Sequence, residues 1–350
     1  MNALIAVAVL TLSAGGKPPE QQRVENLVPF DVASCFTPKA SVPSNAEGVS
    51  GALRLLRPSA IECLVDAKAR GGGEATVGLT FTDGGVTASG VEGPGKACIE
   101  KAAAQLTWPA SAPKANSDVR VGGPSVKTGV NAASDIAAAI RLAQGQWCDC
   151  YAEKLPASIE LDVHVKAGAG VEVTPVAAST VASCLAAKVK TLKLEAPTET
   201  HVPYVFFFID SRADAESADA PPALQFAQLD AIRARRSAES AMAVGARVAA
   251  VTTYDGLVAK YNAAKKPYKM VKEISARCAD LVKADDALVA AVAAQSALDV
   301  HTAELTEGFA AKDPQWKNAA AAMRAQAQAG AGEADKMKAA RDSDAKVCPK

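Results

Sequence analysis

Apolar and polar positions follow three different rhythms along the chain. The first is an almost unbroken apolar run, Ala3-Leu-Ile-Ala-Val-Ala-Val-Leu-Thr-Leu12, which ends in Ser13-Ala14-Gly15-Gly16 and then turns polar. The second occupies roughly the next two hundred residues, where short alternating runs are divided by glycine turns and short amphipathic stretches. Ile159, Leu161, Val163 and Val165 alternate with Glu160, Asp162, His164 and Lys166. That spacing predicts a strand with one face on a core and the other in water. The third rhythm begins beyond Pro222, where apolar residues recur at steps of three and four, the period of a helix.

Within the second region the chain aligns with itself. Ala52-Leu-Arg-Leu55 falls without gaps on Ala139-Ile-Arg-Leu142, and Cys63 then falls on Cys150. An alternating strand follows each cysteine, carrying Val77, Leu79 and Phe81 in the first copy and Ile159 to Val165 in the second. Glycine turns come next, at Gly84-Gly85 and Gly168-Ala169-Gly170, with second strands at Val86–Val91 and Val171–Val176. Two strands joined by a short glycine loop read as a hairpin. A short amphipathic helix with a cysteine then follows, presenting Cys98, Ile99, Ala102 and Leu106 in one copy and Val181, Cys184, Leu185, Val189 and Leu192 in the other. Ser179 or Thr180 offers an N-cap to the latter, and Pro109 and Pro197 stop the two helices. Each copy reads as helix–strand–strand–helix, and the second adds a strong strand at Val202–Ile209.

This order resembles a known family. A helix ending in cysteine, an alternating strand, a glycine turn, a strand, a second cysteine-bearing helix and Pro203-Tyr-Val-Phe-Phe-Phe208 look like the AgmX/PglI-type C-terminal domain. That domain is similar in element order to the TonB C-terminal domain. Residues of about 130–210 carry the clearer match, through Ser179-Thr-Val-Ala-Ser-Cys184 and the Pro-Tyr-Val-Phe-Phe-Phe run. The copy at about 50–122 departs from it at the last strand, where only Asp118-Val-Arg-Val121 stands. The resemblance implies an envelope-associated interaction module rather than an enzyme.

If the two copies share a fold, Cys63 pairs with Cys98 and Cys150 with Cys184. Closing each loop of about 35 residues is worth roughly 3–4 kcal/mol in the chain-entropy model. Once Cys278 and Cys348 are set aside for the helical region beyond Pro222, Cys35 and Cys148 are left, and elimination joins them. Cys148-Asp149-Cys150 also admits a chemical reading, because two thiols one residue apart can support thiol–disulfide exchange. The adjacent aspartate opposes it, since a negative neighbour disfavours the reactive thiolate.

Ser211–Pro222 reads as a Ser/Asp/Ala/Pro linker. Beyond it, Lys265-Lys266-Pro267 and Lys312-Asp313-Pro314 are the natural breaks, because proline cannot continue a helix. Three helices are expected, at about 222–264, 267–311 and 314–345. The middle one carries a seam of Ile274, Cys278, Leu281, Asp285, Leu288 and Val292, and the last carries Trp316, Ala320, Met323, Ala327, Gly330, Ala334 and Met337. That is the rhythm of a coiled coil, imperfectly kept. Folding the last two helices antiparallel about Asp313 places position 278 opposite 348, so a Cys278–Cys348 bridge clamps the open end.

Composition changes this picture in two ways. Much of the 49% hydrophobic content is alanine, and aromatics make up 5%, so small modules gain from covalent staples. Of 38 basic and 38 acidic residues, 19 and 23 precede Pro222, leaving 19 and 15 from there on. That split is too mild for a nucleic-acid or anionic-membrane surface. The N-terminal apolar run with small residues after it reads as a signal peptide, too short to span a bilayer. Eight cysteines agree with an oxidising compartment.

Active-site patterns are missing from the sequence. Gly71-Gly72-Gly73 precedes a strand rather than a helix, and no Gly-x-Ser-x-Gly elbow occurs. Asp285-Asp286 reads as a solvated or register-setting pair, Arg233-Ala-Arg-Arg236 as a solvated basic face, and Tyr204 with Phe206–Phe208 as strand core. His164, His201 and His301 lack zinc-type spacing, so neither a metal nor a cofactor is expected. The expected organisation is α+β. It comprises a signal peptide at 1–16, a first module with an N-terminal extension at 17–129, a second at 130–210, a linker at 211–222 and an all-α region at 223–350. The expected function is that of an exported, non-catalytic envelope protein, periplasmic or secreted, working through protein–protein or cell-wall contacts. A thiol–disulfide exchange protein using Cys148 and Cys150, and a structural protein that self-associates through its helices, are the alternatives.

Overall fold

The computed structural model describes residues 29–36, 39–67, 74–82, 85–92, 94–108, 119–122, 132–151, 155–168, 170–265 and 267–348. The N-terminal apolar run and the Gly71-Gly72-Gly73 loop lie outside them. The fold mixes helix and sheet, with a long C-terminal helical region.

The chain enters through a two-residue strand, β1 (Phe30–Asp31), and a 3-10 turn at Val32–Cys35 whose Ala33 N–H bonds to the Asp31 carboxylate. Helix α1 (Ala46–Leu55) is N-capped by Asn45, which accepts the Gly48 N–H at 2.9 Å. Helix α2 (Arg57–Ala67) follows after a break at Leu56, so the stretch that leads to Cys63 is two helices rather than the single one expected. Pro58 accounts for the break: it lacks an N–H for the carbonyl of residue 54 and fits only in the first turn of a new helix. Strands β2 (Glu74–Thr82) and β3 (Gly85–Ser89) form an antiparallel hairpin, and helix α3 (Pro94–Ala103) follows. Strand β4 (Val119–Gly122) pairs antiparallel with β2 from Glu74↔Gly122 to Val77↔Val119, giving the order β3-β2-β4. The short Val-Arg-Val segment is therefore a strand.

The next unit opens with helix α4 (Ala132–Ala143), and 3-10 turns at Gln144–Gln146 and Cys148–Cys150 continue it. Strands β5 (Ser158–Lys166) and β6 (Gly170–Pro175) form a hairpin whose turn holds Gly168 and Gly170 at φ +69° and +101°, a left-handed region that favours glycine. Helix α5 (Thr180–Lys190) is capped by Ser179, which accepts the Ala182 N–H. Strand β7 (Thr200–Ile209) then pairs antiparallel with β5, and β1 lies parallel to β7, so the order is β1-β7-β5-β6. Alternation along β5 does what the sequence pattern predicts: Ile159, Leu161, Val163 and Val165 are buried. They pack with Leu185 and Val189 of α5 and with an aromatic group of Phe30, Trp147, Tyr151, Phe206 and Phe208.

Three long helices complete the chain: α6 (Pro222–Ala263), α7 (Val271–Lys312) and α8 (Lys317–Val347), with 3-10 turns at Pro267–Met270 and Pro314–Trp316. Their cross-contacts close in sequence separation from 70 at Cys278–Cys348, through 55 at Asp286–Arg341 and 27 at Asp299–Gln326, to 17 at Glu307–Arg324. That steady decrease makes α7 and α8 an antiparallel pair. Phe226, Phe309 and Trp316 stack where α6 meets the α7–α8 turn.

Close contacts join the units. Asn45 donates to the Gly245 carbonyl at 2.6 Å, and α1 meets α6 so closely that a Cβ on Gly51 would lie 2.7 Å from the Met242 nitrogen. A Cβ on Gly245 would lie 2.5 Å from the Gly48 nitrogen. Only glycine permits that approach. Between α2 and α4, Arg141 donates both terminal nitrogens to Glu62 at 2.9 Å, with both side chains buried.

Candidate functional site

Among the described residues three places gather chemistry, and the cysteines form the first. Disulfides join Cys35–Cys148, Cys63–Cys98, Cys150–Cys184 and Cys278–Cys348, with Cα separations of 5.4 to 5.6 Å, and no cysteine is free. Cys63 on α2 meets Cys98 on α3, and Cys150 in its 3-10 turn meets Cys184 on α5, so each bridge spans a hairpin. Cys148 and Cys150 point into different bridges and share none. Between them Asp149 takes Lys188 as an ion-pair partner at 2.6 Å, which holds its carboxyl below the usual aspartate range. In this arrangement neither sulfur is the resolving partner of the other.

The second place is a cleft of about 470 Å³ between the end of β7, the 210–220 linker and the start of α6. Phe208, Ala157, Pro156 and Leu224 form apolar walls, while Asp210, Glu216 and Gln228 supply polar groups. Each of these groups has a partner. Asp210 binds the Arg212 guanidinium, Glu216 lies 2.6 Å from His301 Nε2, and Gln228 accepts the Asp210 N–H. Next to the lining residue Val32, Asp31 accepts the N–H groups of Ala33 and Ser211. Burial pushes its carboxyl above the usual range, and those hydrogen bonds pull it part of the way back. The cleft therefore offers an apolar surface flanked by committed ion pairs.

The third place is the solvent face of the second sheet. Antiparallel register sets His164 of β5 directly opposite His201 of β7 and, on its other side, opposite Glu172 of β6. The two imidazoles stack with centroids 3.8 Å apart. Glu199 lies 2.5 Å from His164 Nε2, Glu172 lies 3.7 Å from His164 Nδ1, and Asp162 lies 3.8 Å from His201 Nδ1. Lys166 completes the row by binding Glu172, and this hydrogen bond is the main cause of that carboxyl's lowered pKa. Of the three histidines, His164 and His201 come together here, while His301 lies at the cleft with Glu216. Residues 37 apart in sequence become neighbours only once β5 and β7 pair, and local ligand spacing carries no sign of that.

Other singled-out residues take structural roles. Asp285 is not solvated: it is 2% exposed and receives Arg247 Nε at 2.5 Å, while the same guanidinium binds Asp344 of α8 at 2.8 Å. Burial raises the Asp285 carboxyl above its ordinary range, and Arg247 counters it. Asp286 pairs with Arg341 across the α7–α8 contact. Arg233, Arg235 and Arg236 each reach a carboxylate, on Asp299, Glu239 and Asp214 respectively. Phe206 and Phe208 are core, and Tyr204 packs edge-on against Phe206. Sequence reading missed Glu62 and Arg141. The one available signal was an arginine within the aligned Ala-Ile-Arg-Leu segment, and its counterpart Arg54 faces Ser237 instead.

Among known proteins, no family model, no curated protein and no solved structure matches this chain. Among the described residues no helix is long and apolar enough to cross a membrane.

Proposed function

We propose that this chain is an exported, non-catalytic envelope protein that works through protein–protein or cell-wall contacts, with two α+β heads carried on a helical frame. The observation that carries the reading is the distribution of the disulfides. One lies within each head, one ties the N-terminal segment to the second head, and one clamps the helical frame. Such staples suit an oxidising compartment and a chain whose aromatics are sparse. The glycine contact of α1 on α6 and the Glu62–Arg141 pair hold the heads in fixed positions, as a scaffold requires.

In this reading the heads are two copies of one TonB C-terminal-like module. Support comes from their strand orders, β3-β2-β4 and β6-β5-β7, and from a cysteine bridge placed alike in each. A photo-crosslinking residue at Val176 in the second head, 63% exposed, and another at Tyr268 in the frame, 67% exposed, separate the parts in living cells. A discrete adduct from Val176 and none from Tyr268 is the expected outcome. Adducts from Tyr268 alone, or from neither, contradict the assignment of contact to the heads.

A further inference from the structure

We propose that the solvent face of β5, β6 and β7 holds a divalent transition-metal site, with His164, His201 and Glu199 as its ligands and Zn²⁺ as the ion that suits them best. Two strands and the segment entering the second bring the three side chains together, and their ligand atoms all lie within 4.8 Å of one another. Donors around a tetrahedral zinc stand roughly 3.4 Å apart, given bonds of about 2.0–2.1 Å. The separations are close to that value, but the stacked rings, 16° from parallel, aim their in-plane lone pairs side by side, so the His201 ring turns to meet the same ion as His164. Glu199 and His201 are 65% and 60% exposed and turn without disturbing the core, while His164, 16% exposed, is the anchored member.

The surrounding carboxylates supply an independent indication. Glu172 faces Nδ1 of His164 at 3.7 Å, and Asp162 faces Nδ1 of His201 at 3.8 Å. A carboxylate beside one ring nitrogen favours the tautomer with its proton there and leaves Nε2 with a lone pair for the metal. Glu172 of β6 and Asp162 of β5 are placed to serve in this way by closing to hydrogen-bond distance, once Glu199, which lies 2.5 Å from His164 Nε2, shifts onto the ion. Two imidazoles and one carboxylate favour zinc and its late first-row neighbours over calcium or magnesium, which take all-oxygen shells. Thiolates do not compete, because all eight cysteines are in disulfides. Three protein ligands on an open sheet face leave a fourth position for water or for a donor from outside the chain.

Calorimetric titration of the tag-free, disulfide-intact full chain with Zn²⁺ alone tests the site. One ion per chain is expected. Its affinity falls by about tenfold or more in His164→Ala and in His201→Ala, and is unchanged in His301→Ala, whose imidazole lies at the cleft with Glu216. Thermal unfolding without zinc checks that each variant folds, and His201→Gln, at a mostly exposed position, replaces any that does not. Failure of the wild type to take up zinc overturns the proposal, as does undiminished binding by a folded His164→Ala/His201→Ala double variant.

Discussion

The second sheet unit and the helical frame hold themselves together by different means. Around β5 and β7 the core is apolar and aromatic, with Leu161 and Val163 fully buried and Phe30, Tyr151, Phe206 and Phe208 in mutual contact. Along the frame the inward positions mix leucine and isoleucine with alanine, glycine and buried polar residues, and none of the buried ones is aromatic. Asp285 meets Arg247, and Asp299 receives Arg233, Gln295 and Gln326. Thr302 and Thr306 turn their buried hydroxyls back onto the carbonyls of Leu298 and Thr302. Small residues let helices approach but bury little surface, so hydrophobic packing alone defines their register weakly. Charges buried between three helices define it, because sliding any one helix strips a carboxylate of its partner. The Cys278–Cys348 bridge then closes the end furthest from the Phe226–Phe309–Trp316 cluster.

If that contrast holds, the largest effect comes from opening the clamp. Replacing Cys278 and Cys348 by serine frees a loop of 70 residues, worth about 4 kcal/mol in the chain-entropy model. Hydrogen exchange should show the loss confined to α7 and α8, with β5 and β7 as protected as before. Next in size, Leu161→Ala in the apolar core should cost about 3 kcal/mol in urea unfolding and leave protection in α8 unchanged. The smallest effect concerns Glu307, whose hydrogen bond to Arg324 holds its carboxyl below the usual glutamate range. A depressed folded pKa gives stability that is present above the unfolded value and lost as pH falls through the folded one. Acid should therefore weaken the α7–α8 contact in the wild type and have less effect on Glu307→Gln, as read from exchange rates in the first turns of α8.

What was legible in the sequence follows the same division. Helix limits were, because Pro267 and Pro314 interrupt a continuous helical pattern: expected breaks near 264 and 311 compare with observed ends at Ala263 and Lys312. Strand alternation along β5 was legible because one of its faces meets water. Folding about Asp313 sets position 278 against 348, where the bridge lies. Contacts between units were not legible. Glu62–Arg141, the glycine seating of α1 on α6, the parallel pairing of β1 with β7 and the stacked His164–His201 pair all depend on which surfaces meet. No local period encodes that. Asp285 shows the boundary well: its place in the seam could be read, but its arginine on another helix could not.

The most direct test of the account is a non-reducing peptide map, with thiol labelling, of the protein recovered from its native cells. Bridges at 35–148, 63–98, 150–184 and 278–348 with no labelled cysteine are the predicted result, and fit an exported protein with stapled heads and a clamped frame. Labelling at Cys148 or Cys150 with the other bridges intact would contradict the structural role of that pair and make thiol exchange the better reading, and eight labelled thiols would contradict export itself.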